Sequence, residues 1–381
     1  MTANGKRPGR MVSGRGFKAF VPDPLPRELS LDTKVVRALS DADRQIGLLA
    51  GEGRRLPNPH LLVRPFVRRE AVLSSRIEGT QSTLGELLAR EAGAAIERSP
   101  DDLREVANYV AALEFGIDRL RELPLSLRLV KELHARLMSG VRGETATPGE
   151  FRRSQNWIGP AGCTLATATY VPPPPEQMTD CLGDWESFLH ERAMPPLVQV
   201  ALAHSQFEMI HPFLDGNGRV GRLLITLFLV EREILPTPLL YLSAFFEATR
   251  AEYYDALEGV SSRGEWDAWL IYFLSGVARQ SEDACGRAER INALLTEWRE
   301  AAAGLPSNTP RRMVDLLAAN PFVTVRGAAD RLEVAFTTAQ RAVARLEEMG
   351  IVKEVTDAKR DRVYCAEGIL SILDEPPKLA P

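Results

Sequence analysis

The stretch His211-Pro-Phe-Leu-Asp-Gly-Asn-Gly-Arg-Val-Gly-Arg222 lies between two segments of helical period, Pro196–Ile210 and Arg219–Glu233. Its inner part, Gly216 to Gly221, fits G-x-G-x-x-G, so a dinucleotide-binding βαβ unit must be considered first. That fingerprint needs a buried strand before it and an acidic residue ~20 positions on. Here the preceding ALAHSQFEMI has a helical period and the residues that follow show no strand pattern, which excludes the dinucleotide fold. The remaining chemistry still points to phosphate. Gly216 and Gly218 flank Asn217 and permit positive φ and close approach to a ligand, and successive N–H groups in such a turn make an anion nest. A helix opening near Arg219, with Val220 and Gly221 in its first turn, adds unpaired N–H groups and a positive dipole end. Arg219 and Arg222 are three apart, share a face and can contact phosphate oxygens. Asp215 among these cations suggests a hard metal ion between carboxylate and phosphates. His211 suits a general base, because imidazole titrates near neutrality. His204 and Glu208, four apart, could form a metal pair, and a packed helix histidine is the plainer alternative.

Outward from this stretch the pattern is mostly helical. Apolar residues recur at helical spacing from Asp32, again over Pro65–Ser75, over Asp101–Leu123 and over Leu127–Ser139. Thr145–Glu176 breaks the pattern with glycines, β-branched residues and four consecutive prolines, and reads as a β-hairpin or extended flap. Helices resume over Glu176–Arg192, Glu247–Glu258 and Glu265–Trp298. The Gly- and Arg-rich start, residues 1–19, reads as a disordered tail, with FVPDPLPR (20–27) extended along a surface. AAAGLPSNTP (301–310) reads as a linker. Beyond it, Arg312–Ala319, Arg326–Leu332 and Thr337–Met349 read as short helices, and IVKEVTDAKRDRVYCA alternates as a two-stranded wing would. Helix, helix-turn-helix and wing suggest a winged-helix domain over 311–375.

The 381 residues suit two or three domains. Lys plus Arg is 47 against 51 Asp plus Glu, a net charge of −4, so the chain as a whole is no polyanion binder. The apolar runs are too short to span a bilayer, and the N-terminus shows no signal-peptide core. Four cysteines without a C-x-x-C pair argue against a disulfide framework and fit a reducing compartment. The expectation is a cytoplasmic protein with no membrane partner.

The segment 211–222 resembles the core motif of the Fic family, HPFx(D/E)GNGRxxR, and matches it at His211, Pro212, Phe213, Asp215, Gly216, Asn217, Gly218, Arg219 and Arg222. The contexts AHSQFEMIHPF, GEFRRSQNWIG…YVPPPP and YLSAFFEATRAEYYDAL extend the resemblance from about Phe20 to Trp298. It implies a mainly α Fic-type bundle, with an N-terminal helical region over 20–125 and a catalytic core over 126–300. It also implies transfer of AMP from ATP to a Ser, Thr or Tyr hydroxyl of a target protein and of the chain itself. In that reading His211 takes the hydroxyl proton, Asp215 holds Mg²⁺, Gly216–Gly218 cradle the phosphates and Asn217 adds its amide. Arg219 and Arg222 bind the outer phosphates, Phe213 pins the loop, and Asn156, Trp157, Ile158 and Gly159 dock the target as an added strand. Tyr254, or its neighbour Tyr253, lies near the adenosine. Gly218 keeps the AMP-transfer version rather than the phosphorylating variant, which has lysine there.

Ser74-Ser-Arg-Ile-Glu78-Gly79 ends a helical run with Gly at C′. A glutamate there opposes the helix dipole. The segment resembles the Fic inhibitory helix, (S/T)xxxE(G/N), through Ser74, Glu78 and Gly79. The resemblance implies that Glu78 pairs with Arg222 and bars the γ-phosphate, with AMP removal as a second activity. Relatives are often dimers, so a homodimer is expected. In residues 311–366, ten Lys and Arg face eight Asp and Glu, a small positive balance. Thr337, Thr338, Gln340, Arg341 and Arg345 are candidate DNA contacts, and a nucleotide-sensing DNA-binding regulator is the competing reading.

Overall fold

The computed structural model describes residues 8–14, 16–55, 59–94, 100–141, 147–160, 162–235, 238–356 and 362–377. Its two innermost helices are α7 (Pro196–Ile210) and α8 (Asn217–Glu231), apolar on nearly every side and buried along nearly their whole length, as a helix surrounded by others must be. Around them stand α1 (Thr33–Arg55), α2 (Pro59–Ile77), α4 (Pro100–Arg119), α5 (Leu127–Leu137), α6 (Pro175–Leu189), α9 (Ser243–Ala248), α10 (Arg250–Arg263) and α11 (Trp266–Ala303). α1 lies along α11, α4 joins α5 and α8, and α2 touches α4, α8 and α9. Trp185, Phe207, Phe213, Phe228, Trp269 and Phe273 fill the centre and are almost completely buried. Each such side chain contributes about 1.5–3 kcal/mol of apolar burial. Among the described residues no helix is long and apolar enough to cross a membrane.

Several expectations are corrected. The tail was expected to be disordered to residue 19, yet β1 (Gly9–Ser13) pairs antiparallel with β2 (Lys18–Pro22), Gly9 opposite Pro22 and Ser13 opposite Lys18. Tertiary burial holds this hairpin: Ala19, Phe20 and Val21 are covered, and the Phe20 N–H donates to Val171 O at 2.9 Å. Residues 1–7 lie outside the described part. A helix that the sequence reading passed over, α3 (Leu84–Glu91), opens with a capping box in which Thr83 and Glu86 satisfy each other's backbone N–H. The flap is not a regular hairpin. Ile158 and Tyr170 form a single antiparallel bridge, because the prolines at 160 and 172–175 leave few N–H groups for a ladder.

The linker expected over 301–310 is shorter, with residues 304–308 lying outside helices. Its alanines continue α11 to Ala303, while Thr309 and Pro310 open α12 (Thr309–Ala319); proline at a helix start costs nothing in hydrogen bonds. The C-terminal unit continues with β3 (Phe322–Thr324), α13 (Val325–Leu332), α14 (Phe336–Glu348), β4 (Lys353–Glu354), β5 (Val363–Cys365) and α15 (Glu367–Asp374). The sheet order is β3-β5-β4, antiparallel throughout; the turn of the expected wing, residues 357–361, lies outside the described residues. This unit is packed onto the helical body. α12 and α15 contact α2. Asn320 Nδ2 donates to Leu88 O at 2.9 Å, and Arg69 Nη2 of α2 donates to Glu375 O at 3.3 Å. The Arg287 guanidinium of α11 bonds the carbonyls of Ile372, Glu375 and Pro376.

Candidate active site

The loop between α7 and α8 brings the quoted residues together. His211 caps α7 in the left-handed conformation, φ 48° and ψ 63°. Gly216 is the N-cap of α8 at φ 80° and supplies no side-chain cap, so the first N–H groups of α8 are left uncapped, as in helix ends that bind anions. The His211 imidazole is pushed down to about 4, first by burial and then by the nearby Arg152 charge. It is therefore neutral at pH 7, with a free lone pair to accept a proton.

The Asn217 side chain does not face the nest. Its Oδ1 accepts from Phe213 N at 2.8 Å and its Nδ2 donates to Phe213 O at 2.9 Å, so the amide closes the loop on itself. Arg219 is likewise turned inward: it is buried, with Nη1 3.0 Å from Glu105 Oε2 and Nη2 3.6 Å from Asp215 Oδ1. Its guanidinium is thus occupied by two carboxylates and is not free for the outer-phosphate role expected for it. Asp215 stands at the mouth with a half-exposed side chain, one oxygen held by the Gly216 N–H at 2.6 Å. Among the described residues no group of three or more His, Cys, Asp or Glu could hold a metal. A Mg²⁺ ion would fit at Asp215 only as Mg²⁺ commonly binds, through one carboxylate and the substrate's phosphates.

Arg222 is almost fully buried and reaches α2. Its Nε donates to Ser74 Oγ and its Nη2 to Ser74 O, both at 2.9 Å, and Nη2 also donates to Glu78 Oε1 at 2.6 Å. Glu78 gets there through a Schellman turn, with Thr80 N donating to Ser75 O and Gly79 N to Arg76 O. Gly79 at φ 102° supplies the left-handed residue that turn requires. The Glu78 carboxylate then hangs over the first turn of α8, where a Cβ on Gly218 would collide with Oε1. Burial favours the neutral acid, but Arg222 outweighs it and holds the Glu78 carboxyl below its usual range. Glu208, one turn before His211, goes the other way: burial, with Glu78 adding, raises it to about 7.

His204 is no metal ligand in this arrangement. Its Nε2 lies 2.8 Å from the Tyr253 hydroxyl and its Nδ1 3.3 Å from Gly221 O, among stacked aromatic rings. Burial lowers it to about 3. Tyr253 is buried, whereas Tyr254 is exposed beneath Arg250. In the flap Trp157, Ile158 and Gly159 are exposed, and Asn156 is buried, its Nδ2 donating to Phe213 O at 2.8 Å.

Residues 36–118 match the Fic/DOC family N-terminal model and residues 124–229 the Fic/DOC family model. The chain belongs to the Fic/DOC family. It is 30% identical over 219 residues to protein adenylyltransferase fic-1 of Caenorhabditis briggsae, covering 55% of this chain and 39% of that one. It is 31% identical over 161 residues to protein adenylyltransferase Fic of Drosophila virilis, covering 41% and 31%. The chain thus spans about two fifths or less of these curated relatives. A crystal structure of a Fic family protein from Desulfovibrio desulfuricans G20 shares the fold at TM-score 0.60 and 21% identity, over 89% of this chain and 97% of that one. Fic-1 from C. elegans aligns at TM-score 0.51 and 25% identity, over 67% of this chain and 73% of its own.

Three residues of this Fic site were missed in the sequence. His134 of α5 stacks on Phe213 with ring centroids 3.7 Å apart, accepts from Gly149 N and contacts Asp215 O at 3.1 Å. Burial lowers it to about 4. Because Nδ1 accepts, Nε2 carries the proton and donates to Asp215 O. Glu105 of α4 holds Arg219, and Arg152 holds the end of α7. All three act from elements far away in the chain, and nothing in their local sequence marks them.

Proposed function

We propose that this chain is a protein adenylyltransferase that transfers AMP from ATP to a Ser, Thr or Tyr hydroxyl of a target protein and of itself, and that Glu78 restrains it. The observation carrying this reading is the neutral His211 beside the open N-terminus of α8, with Arg222 at its far side. The target hydroxyl gives its proton to His211 as its oxygen bonds to the α-phosphorus. The bond from that phosphorus to the bridging oxygen breaks, and pyrophosphate leaves. The N–H groups of Asn217–Arg219 and the Arg222 guanidinium would face the growing negative charge, the kind of fixed-dipole stabilisation that supplies most catalysis in such sites. Asp215 would hold Mg²⁺, which neutralises phosphate charge when bound. Exposed Trp157 and Ile158 offer an edge for the target chain, and Tyr254 offers an aromatic face to adenosine.

With Glu78 on Arg222, the γ-phosphate has neither its cation nor its space. ATP in a productive pose must first displace the carboxylate. A carboxylate at this position could also orient water for the reverse removal of AMP. Purified protein incubated with α-labelled ATP and Mg²⁺ tests the reading: label on the chain should be strongest in Glu78→Gly and absent in His211→Ala. No label in Glu78→Gly, with or without a lysate supplying targets, would overturn it.

A second reading rests on the C-terminal unit, which we read as a winged helix. Thr337, Gln340 and Arg341 are exposed on one face of α14, consistent with a duplex-facing helix. Thr338 is half-buried, and Arg345 is engaged with Glu348 at 2.6 Å. Arg341→Ala weakening retention on duplex DNA, with a salt dependence of the remaining binding that falls by about one charge, would support a DNA-binding regulator. A homodimer is part of the proposal, and sedimentation of the purified chain tests it.

A further inference from the structure

His211 holds a conformation that most side chains avoid. At φ 48° its carbonyl no longer continues the α7 ladder, and non-glycine residues adopt this region uncommonly, histidine more often than most but still as a small minority. Such a residue persists only where its surroundings over-determine it. The surroundings here centre on one side chain. Arg152 is 2% exposed. Its Nε donates to His211 O at 2.9 Å and its Nη2 lies 3.4 Å from Ile210 O, gripping the last two carbonyls of the helix that ends in the base. The same guanidinium donates to Pro173 O at 2.6 Å and to Ser154 O at 3.2 Å, the two ends of the flap. Its own N–H donates to Pro212 O at 2.9 Å. Asn156 of the flap adds a second donor to His211 O at 3.3 Å.

Every recorded side-chain partner of Arg152 is a carbonyl, and among the described residues no carboxylate pairs with it. A buried cation without a counter-ion is costly, and burial accordingly lowers its pKa to about 10. The planar fork of arginine can serve four carbonyls in fixed directions, which lysine cannot.

We propose that Arg152 is a positioning residue for His211: it fixes the base in its left-handed conformation and makes the base and the target-docking flap one rigid piece. The inference rests on the adenylyl-transfer reading for its kinetic consequence but not for its structural one. The flap and the base would therefore move together, and a target seated on the flap would find the imidazole already placed.

Two measurements on the full-length chain separate the possibilities. The first needs no activity. The chain has five histidines, so the His211 ring can be followed by NMR with ¹⁵N-labelled histidine and assigned through His211→Ala. Arg152→Lys is expected to shift or broaden the His211 ring signals while those of His204, which shares α7 but not the clamp, stay in place. An unchanged His211 ring would overturn the proposal. The second is kinetic, in a Glu78→Gly background. Arg152→Lys is expected to lower kcat by ~10–100-fold, the cost of misplacing a reacting group by about 1 Å, with KM for ATP within about twofold. An arginine that only braces the flap would instead raise KM for the target and spare kcat, and that result would also overturn the proposal. If Arg152→Lys does not fold, Asn156→Ala keeps the arginine and removes the second donor; it is expected to give the same split, about 3–10-fold in kcat, and an unaltered kcat and ring signal there would refute the clamp. No transfer at all in Glu78→Gly with Arg152 intact would count against the transferase reading, leaving the ring measurement to decide this one.

Discussion

Replacing Glu78 by glutamine keeps the shape of the latch and removes its charge, and the structure dictates two effects of opposite sign. Arg222 is 2% exposed at its side chain and Glu78 34%, with 2.6 Å between Nη2 and Oε1. Removing one partner of a fully buried pair costs about 3–5 kcal/mol. Here the carboxylate is one third in water, and Arg222 keeps Ser74 Oγ and Ser74 O. Discounting for solvent, the pair is worth about 2 kcal/mol. The ligand-free protein should lose that much stability, seen as a lower midpoint in urea. ATP no longer has to displace a charged rival, so its affinity should rise by up to about 30-fold, since 1.4 kcal/mol is a factor of ten. Titration calorimetry with ATP and Mg²⁺ on wild type and Glu78→Gln reads this directly. A glutamine variant that is both less stable and no better at binding ATP would refute the reasoning, because the carboxylate would then be a structural ion pair with no bearing on the nucleotide.

Other outcomes follow from burial and capping. His134, His204 and His211 are held near 4, 3 and 4, below the ordinary 6.5. The unfolded chain therefore binds more protons in this range, and stability should be complete above pH 6.5 and fall as pH drops toward 4. Glu208, raised to about 7, acts in the opposite sense, so Glu208→Gln should steepen the acid loss; urea midpoints from pH 8 to 4.5 check both. Thr83→Ala should remove the capping box of α3 and cost about 1 kcal/mol, with faster amide exchange localised to residues 84–91.

What could be read in the sequence was what local chemistry encodes. The span 211–222 was legible as a glycine loop opening a helix, because its glycines and the helical period after them are encoded within one turn, and Arg222, unlike Arg219, came to the site expected. The Glu78-Gly79 turn was legible because a C′ glycine fixes the chain direction after it. Thr83–Glu86 was equally local, and the S/T-x-x-E pattern was there to be used. By contrast, Arg219 meets Glu105 across 114 positions and His134 meets Asp215 across 81. Partners at such separation are set by how α4, α5 and α8 pack, which composition does not reveal. Asn217 misled for the same reason, since its amide could serve phosphate or its own loop and only the closed loop decides. The segment 301–310 misled because glycine and proline mark helix ends as readily as linkers.

The seating of the C-terminal unit on α2 bears on how this protein should be taken apart. A cut between residues 303 and 309 looks harmless in the sequence and would seem to release a free-standing helical body. It would strip α12 and α15 from the very helix whose last turn presents Ser74 and Glu78, and would deprive Arg69 and Arg287 of the carbonyls at 372–376. α2 is held along its length by the C-terminal unit, through Arg69 among others, and at its C-terminal end by Arg222. A fragment that behaves differently from the whole would then report an α2 with one support removed, and would not describe the intact protein.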